Sequence, residues 1–136
     1  MTIFSKIIAG EIPSYKVAET DDFLAFLDVF PLTEGHVLVV PKKEVDYIFD
    51  LDDEAYLAMH MFAKIVARGI EKAIPCLRIG VSVIGLEVPH AHIHLLPLHH
   101  VSDMNFSRKK VSFTKDEFEA TAQKIRDAIG SVTREE

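Results

Sequence analysis

The sequence predicts an α+β fold, namely an antiparallel meander sheet with one long helix, a short N-terminal helix and a C-terminal helix. Short apolar segments separated by turn-forming residues occupy residues 15–41, which is typical of strands. Apolar residues recur at helical spacing over residues 53–73 and again over residues 115–129. A chain of 136 residues is long enough for one domain with its own hydrophobic core.

The N-terminal helix is predicted over residues 3–8, whose apolar side chains have helical spacing. Thr2 suits the N-cap position because its hydroxyl can accept a hydrogen bond from a backbone N–H of the first turn. Gly10 suits the end of the helix, since glycine adopts a positive φ without strain.

Three strands are predicted after this helix. Residues 15–19 and 23–28 are separated by a three-residue polar turn, which is typical of an antiparallel hairpin. After a loop, an apolar strand over residues 36–40 ends at Pro41, because proline cannot donate to a strand ladder.

A long helix is predicted to begin with residues 52–54 in its first turn and to run to about Ala73. Acidic residues at 52–54 lie where the helix dipole favours negative charge, and Pro75 prevents the helix from continuing. Leu57 and Met61 widen its apolar surface, so they either pack in the core or meet a second subunit. The residues predicted to face the core are Ala58, Phe62, Ile65, Val66 and Ile70.

The C-terminal helix is predicted over about residues 115–129, with its end at Gly130. Thr114 and Glu117 match a capping box, and Phe113 and Phe118 have the spacing of a hydrophobic staple. The predicted buried stripe consists of Phe118, Ala122, Ile125 and Ile129. We expect a main domain over residues 1–100 and an extension over residues 101–136 that packs on the same domain.

Composition and charge exclude several classes of protein. The net charge of −6 argues against a nucleic-acid backbone binder, which would normally show a basic face. Cys76 is the only cysteine, so no internal disulfide can form and a reducing compartment is expected. No apolar run approaches the length of a membrane span, and the first residues do not resemble a signal peptide. We expect a cytoplasmic protein that binds neither nucleic acid nor membranes.

The most informative segment is a strand predicted over residues 90–97, which follows a strand over residues 77–84 and a turn at Gly85. His90, His92 and His94 alternate with apolar residues, so the imidazoles would project from one face of this strand. The apolar residues Ala91, Ile93 and Leu95 would then face the core.

Alternating imidazoles suit several roles. At a rise of ~3.3 Å per residue, His90 and His94 would be roughly 13 Å apart, so three ligands from one straight strand would not converge on a metal. Two of them with a distant third ligand could bind one, and a structural role is also open. Nucleophilic or acid–base chemistry is favoured, because neutral imidazole is a nucleophile that can form a covalent intermediate.

The histidine segment resembles the signature of the histidine triad (HIT) family, in which histidines alternate with hydrophobic residues. Further segments resemble the same family in order and spacing, so that the resemblance covers about residues 2–97. These segments are IFSKIIAGEIP at 3–13, AFLD at 25–28, GHVLVVPKK at 35–43, VPH at 88–90 and HAHIHLL at 90–96.

The resemblance implies a histidine triad domain over residues 1–100 and a role for each histidine. His92 would be the nucleophile that takes a nucleoside monophosphate from its substrate, and His90 would orient it through a backbone carbonyl. His94 would lie beside the phosphate, and His36 would support the site from the neighbouring strand. Asp28 resembles the carboxylate that binds the ribose hydroxyls.

The resemblance also implies a base pocket and a phosphate-binding segment. Many relatives carry asparagine and glutamine where this chain has Ser82 and Leu86, so these two positions would not make the same side-chain hydrogen bonds near the phosphate and the leaving group. Backbone N–H groups around residues 86–88 would stabilise the negative charge that develops during the reaction. Ser82, Glu87 and Val88 are therefore predicted to be nucleotide-binding residues. The residues that map to the base pocket are Ile3, Phe4, Ile7, Phe26, Leu27 and Val29.

The resemblance implies no metal and no cofactor for this chain. Some bacterial relatives bind zinc with a cysteine pair and a histidine, and this chain has Thr2, Ser5 and Glu44 at those positions. Family members commonly form two-fold dimers, so a homodimer is expected.

The predicted function is metal-independent hydrolysis of a nucleoside 5′-phosphoramidate or a related nucleotidyl conjugate, with a purine nucleotide as the small-molecule partner. Two alternatives stay open. One is cleavage of a dinucleoside polyphosphate by the same nucleophile, and the other is a non-catalytic nucleotide-binding module that interacts with partners.

Overall fold

The computed structural model describes residues 1–135 and confirms the predicted α+β class. Five antiparallel strands form one sheet in the order β1-β2-β3-β5-β4. Two short 3₁₀ turns occupy Ile48–Asp50 and Val101–Met104. The helices and strands are α1 (Ile3–Ile8), β1 (Lys16–Glu19), β2 (Phe23–Leu27), β3 (Val37–Pro41), α2 (Asp53–Ala73), β4 (Arg78–Ser82), β5 (Ile93–Leu98) and α3 (Lys115–Glu135).

The sheet topology places the histidine strand in its interior. Strands β1 to β3 form the expected meander, in which Leu24 of β2 pairs with Val40 of β3. The chain then passes through α2 to β4 at the far edge and returns in β5 between β3 and β4. Strand β5 is therefore held by backbone hydrogen bonds on both sides, which gives the residues it carries a rigid support.

The alternation of side chains along the strands divides the buried residues between two faces of the sheet. One face packs under α2 and α3 and includes Leu27, Val39 and Ile93. The other face is smaller and packs under α1, with Phe26 and Leu38 among its members. The candidate site lies on this second face, because the triad rings contact Phe4 of α1.

The caps predicted for α1 are confirmed, and α2 has an N-cap of the same kind. Thr2 accepts a hydrogen bond from the Ser5 N–H at 3.0 Å at the start of α1, and Gly10 follows that helix with φ 81°. At the start of α2, Asp52 accepts from the Ala55 N–H at 2.8 Å. Each cap satisfies a backbone donor that the helix itself leaves without a partner.

The stripe that α2 buries differs from the predicted one. Ala58, predicted to face the core, is exposed, and Ile65 is half-buried. The buried stripe is turned toward Met59 by less than one residue, so the long Met59 side chain is buried in place of the Ala58 methyl group, which removes more apolar area from water. The predicted residues Phe62, Val66 and Ile70 are buried as expected. The buried residues of α2 are Met59, Phe62, Ala63, Val66, Gly69 and Ile70.

Helix α3 begins as predicted and ends later than predicted. Thr114 and Glu117 form the capping box, with hydrogen bonds of 2.8 and 3.1 Å. The prediction that Gly130 ends the helix is wrong, since α3 continues to Glu135. Gly130 does not have a positive φ, so it does not adopt the left-handed conformation of a C-terminal cap. Glu136, the last residue of the predicted extension, lies outside the described residues.

Helix α3 packs across α2, and its Ala122 and Ile125 are buried in the main core, whereas Phe118 and Ile129 are half-buried. The division of the chain into residues 1–100 and 101–136 stays a prediction.

Within residues 1–135, none of the helices combines the length and the apolarity needed to cross a lipid bilayer.

The packing of α2 on α3 depends on the absence of a side chain at Gly69. A Cβ at this position would overlap Ile129 Cγ1 and lie 3.2 Å from Ile129 Cα. We expect Gly69→Ala to lower the free energy of unfolding by about 1–3 kcal/mol through overpacking, although alanine favours helices by about 1 kcal/mol. Urea unfolding measures the change.

A matched double variant separates packing from helix propensity. In an Ile129→Ala background, the same Gly69→Ala change should cost clearly less, because the overlapping group is gone. An equal loss in both backgrounds would contradict this account of the contact.

Candidate active site

The triad histidines differ from the prediction in their secondary structure. Strand β5 begins at Ile93, so His94 lies in the sheet whereas His90 and His92 precede it. Strand β4 ends at Ser82, which pairs with His94, and on the other side the Ala91 N–H donates to the Val45 carbonyl at 2.7 Å instead of to β3. Ala91, Ile93 and Leu95 are buried in the main core, as expected for the opposite face.

A backbone carbonyl fixes the protonation of the His92 ring. His92 Nδ1 lies 2.8 Å from the carbonyl oxygen of His90. A carbonyl can only accept, so Nδ1 carries the proton and donates it. In the neutral ring, Nε2 then holds the lone pair and is the nucleophilic atom.

A second chain of hydrogen bonds fixes the proton of His94. The Leu32 backbone N–H donates to His36 Nδ1 at 3.1 Å, so the proton of the neutral His36 ring is on Nε2. His36 Nε2 then donates to His94 Nδ1 at 2.9 Å. His94 consequently carries its own proton on Nε2. The ring centroids of His92 and His94 are 4.9 Å apart, so a ring with a free Nε2 lone pair lies next to a ring with an Nε2–H donor.

Both Nε2 atoms are reachable from solvent. Neither the Nε2 atom of His92 nor that of His94 has a hydrogen-bond partner within residues 1–135. Among the described residues, the buried side-chain polar atom without a partner is Thr33 Oγ1. The two imidazole atoms are therefore not sealed in the protein, although each residue is only 7% exposed.

Burial keeps the imidazoles of His36 and His94 neutral. It is the main cause that lowers the pKa of His36 and of His94, each to about 3. Lys110 and His92 lower the pKa of His36 further, and His36 and His92 do the same for His94. Burial also lowers the pKa of His90, against the opposing effect of the Pro41 carbonyl.

The N-terminal helix holds the His90 ring from behind. His90 Nε2 donates to the Pro41 carbonyl at 2.8 Å, so its Nδ1 accepts from the Thr2 hydroxyl, also at 2.8 Å. Glu44 accepts from the Thr2 N–H at 2.9 Å and from the Ser5 hydroxyl at 2.6 Å. Thr2, Ser5 and Glu44, which occupy the positions of the zinc ligands of some bacterial relatives, are thus joined by hydrogen bonds.

One group of possible metal ligands lies beside the triad among the described residues, formed by Asp28, His36 and His94. A metal there would need a lone pair on His36 Nε2. The Leu32 N–H already occupies the lone pair of His36 Nδ1, so ligation would require an imidazolate ring. The hydrogen bonds of His36 therefore oppose metal binding at this group.

Several residues predicted to bind a nucleotide lie close to His92. The Phe4 ring centroid is 5.0 Å from the His92 ring and 5.6 Å from Phe26. Ile7 and Val88 belong to the same apolar cluster. Ile3 is half exposed, at 50%. These side chains together form an apolar wall next to the candidate nucleophile.

Other predicted residues are placed differently. Leu27 lies in the core under α2, so its side chain points away from the triad and cannot line a base pocket there. Val29 is 50% exposed, beyond the end of β2. Glu87 is exposed, and Ser82 ends the edge strand, where it pairs with His94.

Asp28 lies at the end of β2, beside His36. Its Oδ1 accepts from the Phe30 N–H at 2.9 Å, and its Oδ2 is 3.6 Å from His36 Nε2. Because His36 is neutral, this contact is not an ion pair. The carboxylate keeps free lone pairs for further donors.

Sequence reasoning missed two residues of the loop that follows β5. The ring of Phe106 packs edge-on against His94 at 4.7 Å between centroids, and Lys110 Nζ lies 5.8 Å from the centroid of the Phe106 ring. The available signal was one aromatic residue among the polar residues at 105–110.

Comparisons with known proteins agree with this geometry. The HIT domain family model matches residues 9–101. An uncharacterized HIT-like protein of Borreliella burgdorferi is 33% identical, with 90% of this chain and 94% of that protein covered. The adenosine 5′-monophosphoramidase of Saccharomyces cerevisiae is 38% identical, with 70% and 61% covered. The crystal structure of a HIT-like protein from Bartonella henselae has a TM-score of 0.81 at 32% identity, with 93% and 95% covered.

The neutral state of His36 and His94 has a measurable consequence. Nitrogen NMR should find both rings neutral from pH 8 to about pH 4.5, with the proton on Nε2. The unfolded chain gains a proton at each ring below its ordinary pKa of 6.5, whereas the folded protein does so only near 3. The free energy of unfolding should therefore fall as the pH drops from 6.5 to about 3, by up to about 1.4 kcal/mol per pH unit for each ring. A midpoint near pH 6, or a proton on Nδ1, would refute the assignment.

Proposed function

The chain belongs to the HIT domain family, and we propose that it hydrolyses nucleoside 5′-phosphoramidates, or related nucleotidyl conjugates, through a covalent intermediate on His92. The observation that carries this proposal is the pair of Nε2 atoms in the triad. His92 offers a lone pair and His94 offers an N–H, with the ring centroids 4.9 Å apart. Displacement at phosphorus needs a nucleophile for the phosphorus atom and, next to it, a hydrogen-bond donor for the phosphoryl oxygens.

The reaction takes place in two displacements. His92 Nε2 attacks phosphorus and forms a nitrogen–phosphorus bond, while the bond to the leaving amine breaks and the amine takes a proton from solvent. Water then attacks the same phosphorus, the bond to Nε2 breaks, and the water gives up one proton to solvent while its oxygen stays on phosphorus. The nucleoside monophosphate leaves, and the His92 ring returns to its starting state.

The protein stabilises the charge that develops in the first step. The His92 ring becomes positive when Nε2 bonds to phosphorus, and its Nδ1–H then donates more strongly to the His90 carbonyl. That carbonyl is held in place because His90 is bonded to Pro41 and Thr2. The His94 N–H donates to a phosphoryl oxygen at the same time.

The nucleoside part of the substrate is assigned to the surface beside α1. Val88, which is half-buried and packs against the buried cluster of Phe4 and Phe26, offers an apolar surface to a purine base, and the free lone pairs of Asp28 suit the ribose hydroxyls. The name of the yeast relative, an adenosine 5′-monophosphoramidase, supports an adenosine nucleotide.

We also propose that two copies of the chain form a dimer through α2 and the edge strand β4. Leu57 and Met61 on α2 are 64% and 59% exposed, and Val81 on β4 is 61% exposed. Strand β4 has β5 on one side and no strand on the other within residues 1–135. An apolar helix face beside an unpaired strand edge is suited to a two-fold contact.

Turnover of an adenosine 5′-phosphoramidate tests the proposed reaction. We expect hydrolysis that EDTA does not change, and an adenylyl adduct in the intact mass under conditions that spare acid-labile bonds. His92→Ala should abolish both signals, with a loss of at least about a thousandfold in kcat/KM, because the nucleophile is removed. His99→Ala, which removes an exposed histidine outside the triad, is the matched control.

The same assay separates the alternatives. Turnover of a dinucleoside polyphosphate, with the phosphoramidate left intact, would replace the proposed substrate class. Tight binding of the nucleotide without adduct or turnover would favour a non-catalytic module. Full hydrolysis by His92→Ala would refute the proposed nucleophile.

Light scattering of the purified protein tests the dimer. We expect twice the mass of the chain for the wild type and a shift toward monomer for Met61→Glu, because the charge would be buried in the contact. Ala120→Glu adds the same charge to the exposed face of α3 and should leave the mass unchanged. A monomeric wild type would exclude the dimer.

A further inference from the structure

The loop that follows β5 forms one wall of the triad. Phe106 packs edge-on against His94 at 4.7 Å between centroids, and against His36 at 6.3 Å. The family match ends at residue 101, so this wall comes from a part of the chain outside the matched region.

The loop is anchored at both ends. Near its start, Asp103 accepts from the backbone N–H groups of His99 and His100, both at 2.9 Å, and Arg108 donates to Asp103 at 3.1 Å. These donors lower the pKa of Asp103 to about 2, so its charge persists at neutral pH. Near its end, the Val111 N–H donates to the Pro31 carbonyl at 2.9 Å. The side chains between these anchors are held against the site.

Lys110 brings a positive charge to this wall. Its Nζ donates to the Phe106 carbonyl at 2.7 Å and lies 5.8 Å from the centroid of the Phe106 ring, which itself contacts His94. The side chain is half-buried. Its charge is one of the causes that lower the pKa of both His36 and His94.

The positive charge of Lys110 matters because the histidines beside it supply none for an anionic phosphate. His36 and His94 are neutral at physiological pH, and Asp28 is placed to repel an anion. Leu86, at 88% exposure, offers an apolar side chain to the segment before the triad. A nucleotide phosphate therefore needs a positive group from elsewhere.

We propose that Lys110 is a phosphate-binding residue of this site, positioned by Phe106, and that it recognises the anionic phosphate of the bound nucleotide. This inference rests on the proposed function for the identity of the ligand. The Nζ atom has two further protons beyond the one given to the Phe106 carbonyl, and these are available to phosphate oxygens.

Calorimetry with AMP and with adenosine tests the proposal without requiring turnover. Lys110→Met should weaken AMP binding by roughly tenfold or more at low salt, because a hydrogen bond to a charged group is lost. Binding of adenosine, which lacks the phosphate, should be unchanged. Lys110→Arg should retain most of the affinity for AMP. Lys109→Met removes a charge from the adjacent exposed residue and should leave both affinities as in the wild type.

A second readout distinguishes charge from packing. If Lys110 faces the triad, Lys110→Met should raise the pKa of His94 in the NMR experiment, whereas Lys109→Met should not. Unchanged AMP affinity in Lys110→Met, or an equal loss of AMP and adenosine binding, would overturn the proposal, as would equal effects of the two lysine variants. If the wild type shows no phosphoramidase turnover but Lys110→Met still loses AMP binding, the role of Lys110 is supported. Only the proposed catalysis is then refuted. A wild type that binds no AMP would overturn both.

Discussion

The hydrogen bond from His92 Nδ1 to the carbonyl of His90 is the interaction on which the candidate chemistry depends. Because the acceptor belongs to the backbone, it cannot change its protonation, and the lone pair of His92 is left on Nε2 at the open side of the site. The carbonyl is in turn positioned by the bonds of the His90 ring to Pro41 and Thr2. A short helix, the end of β3 and the triad are thereby joined behind one nucleophilic atom.

Burial supplies the second constraint. An imidazole in water would be partly protonated near neutral pH, whereas His36 and His94 are held neutral by their surroundings. Their protons are assigned by a chain of donors that begins at the Leu32 backbone and ends at His94 Nε2. The arrangement costs the folded protein stability at low pH, and it gives the site a fixed donor beside a fixed lone pair.

Much of the architecture follows from local patterns in the sequence. The caps at Thr2, Asp52 and Thr114 are decided by side chains that bond to a backbone only a few residues away. The phase of α2 and the length of α3 did not follow in the same way. The burial of Met59 and the continuation of α3 through Gly130 depend on contacts with the sheet and the neighbouring helix. A local sequence pattern contains no information on these contacts.

The sequence by itself determined the order of the elements, the caps and the alternation that puts Ala91, Ile93 and Leu95 in the core. The tertiary structure decided which ring nitrogens carry protons, that Leu27 points away from the triad, and that Phe106 lies against His94. The physical reason is the range of the interactions. Caps and alternation act over a few residues, whereas tautomers, burial and ring contacts depend on groups that are distant in sequence and meet only when the sheet, α1 and the loop after β5 come together.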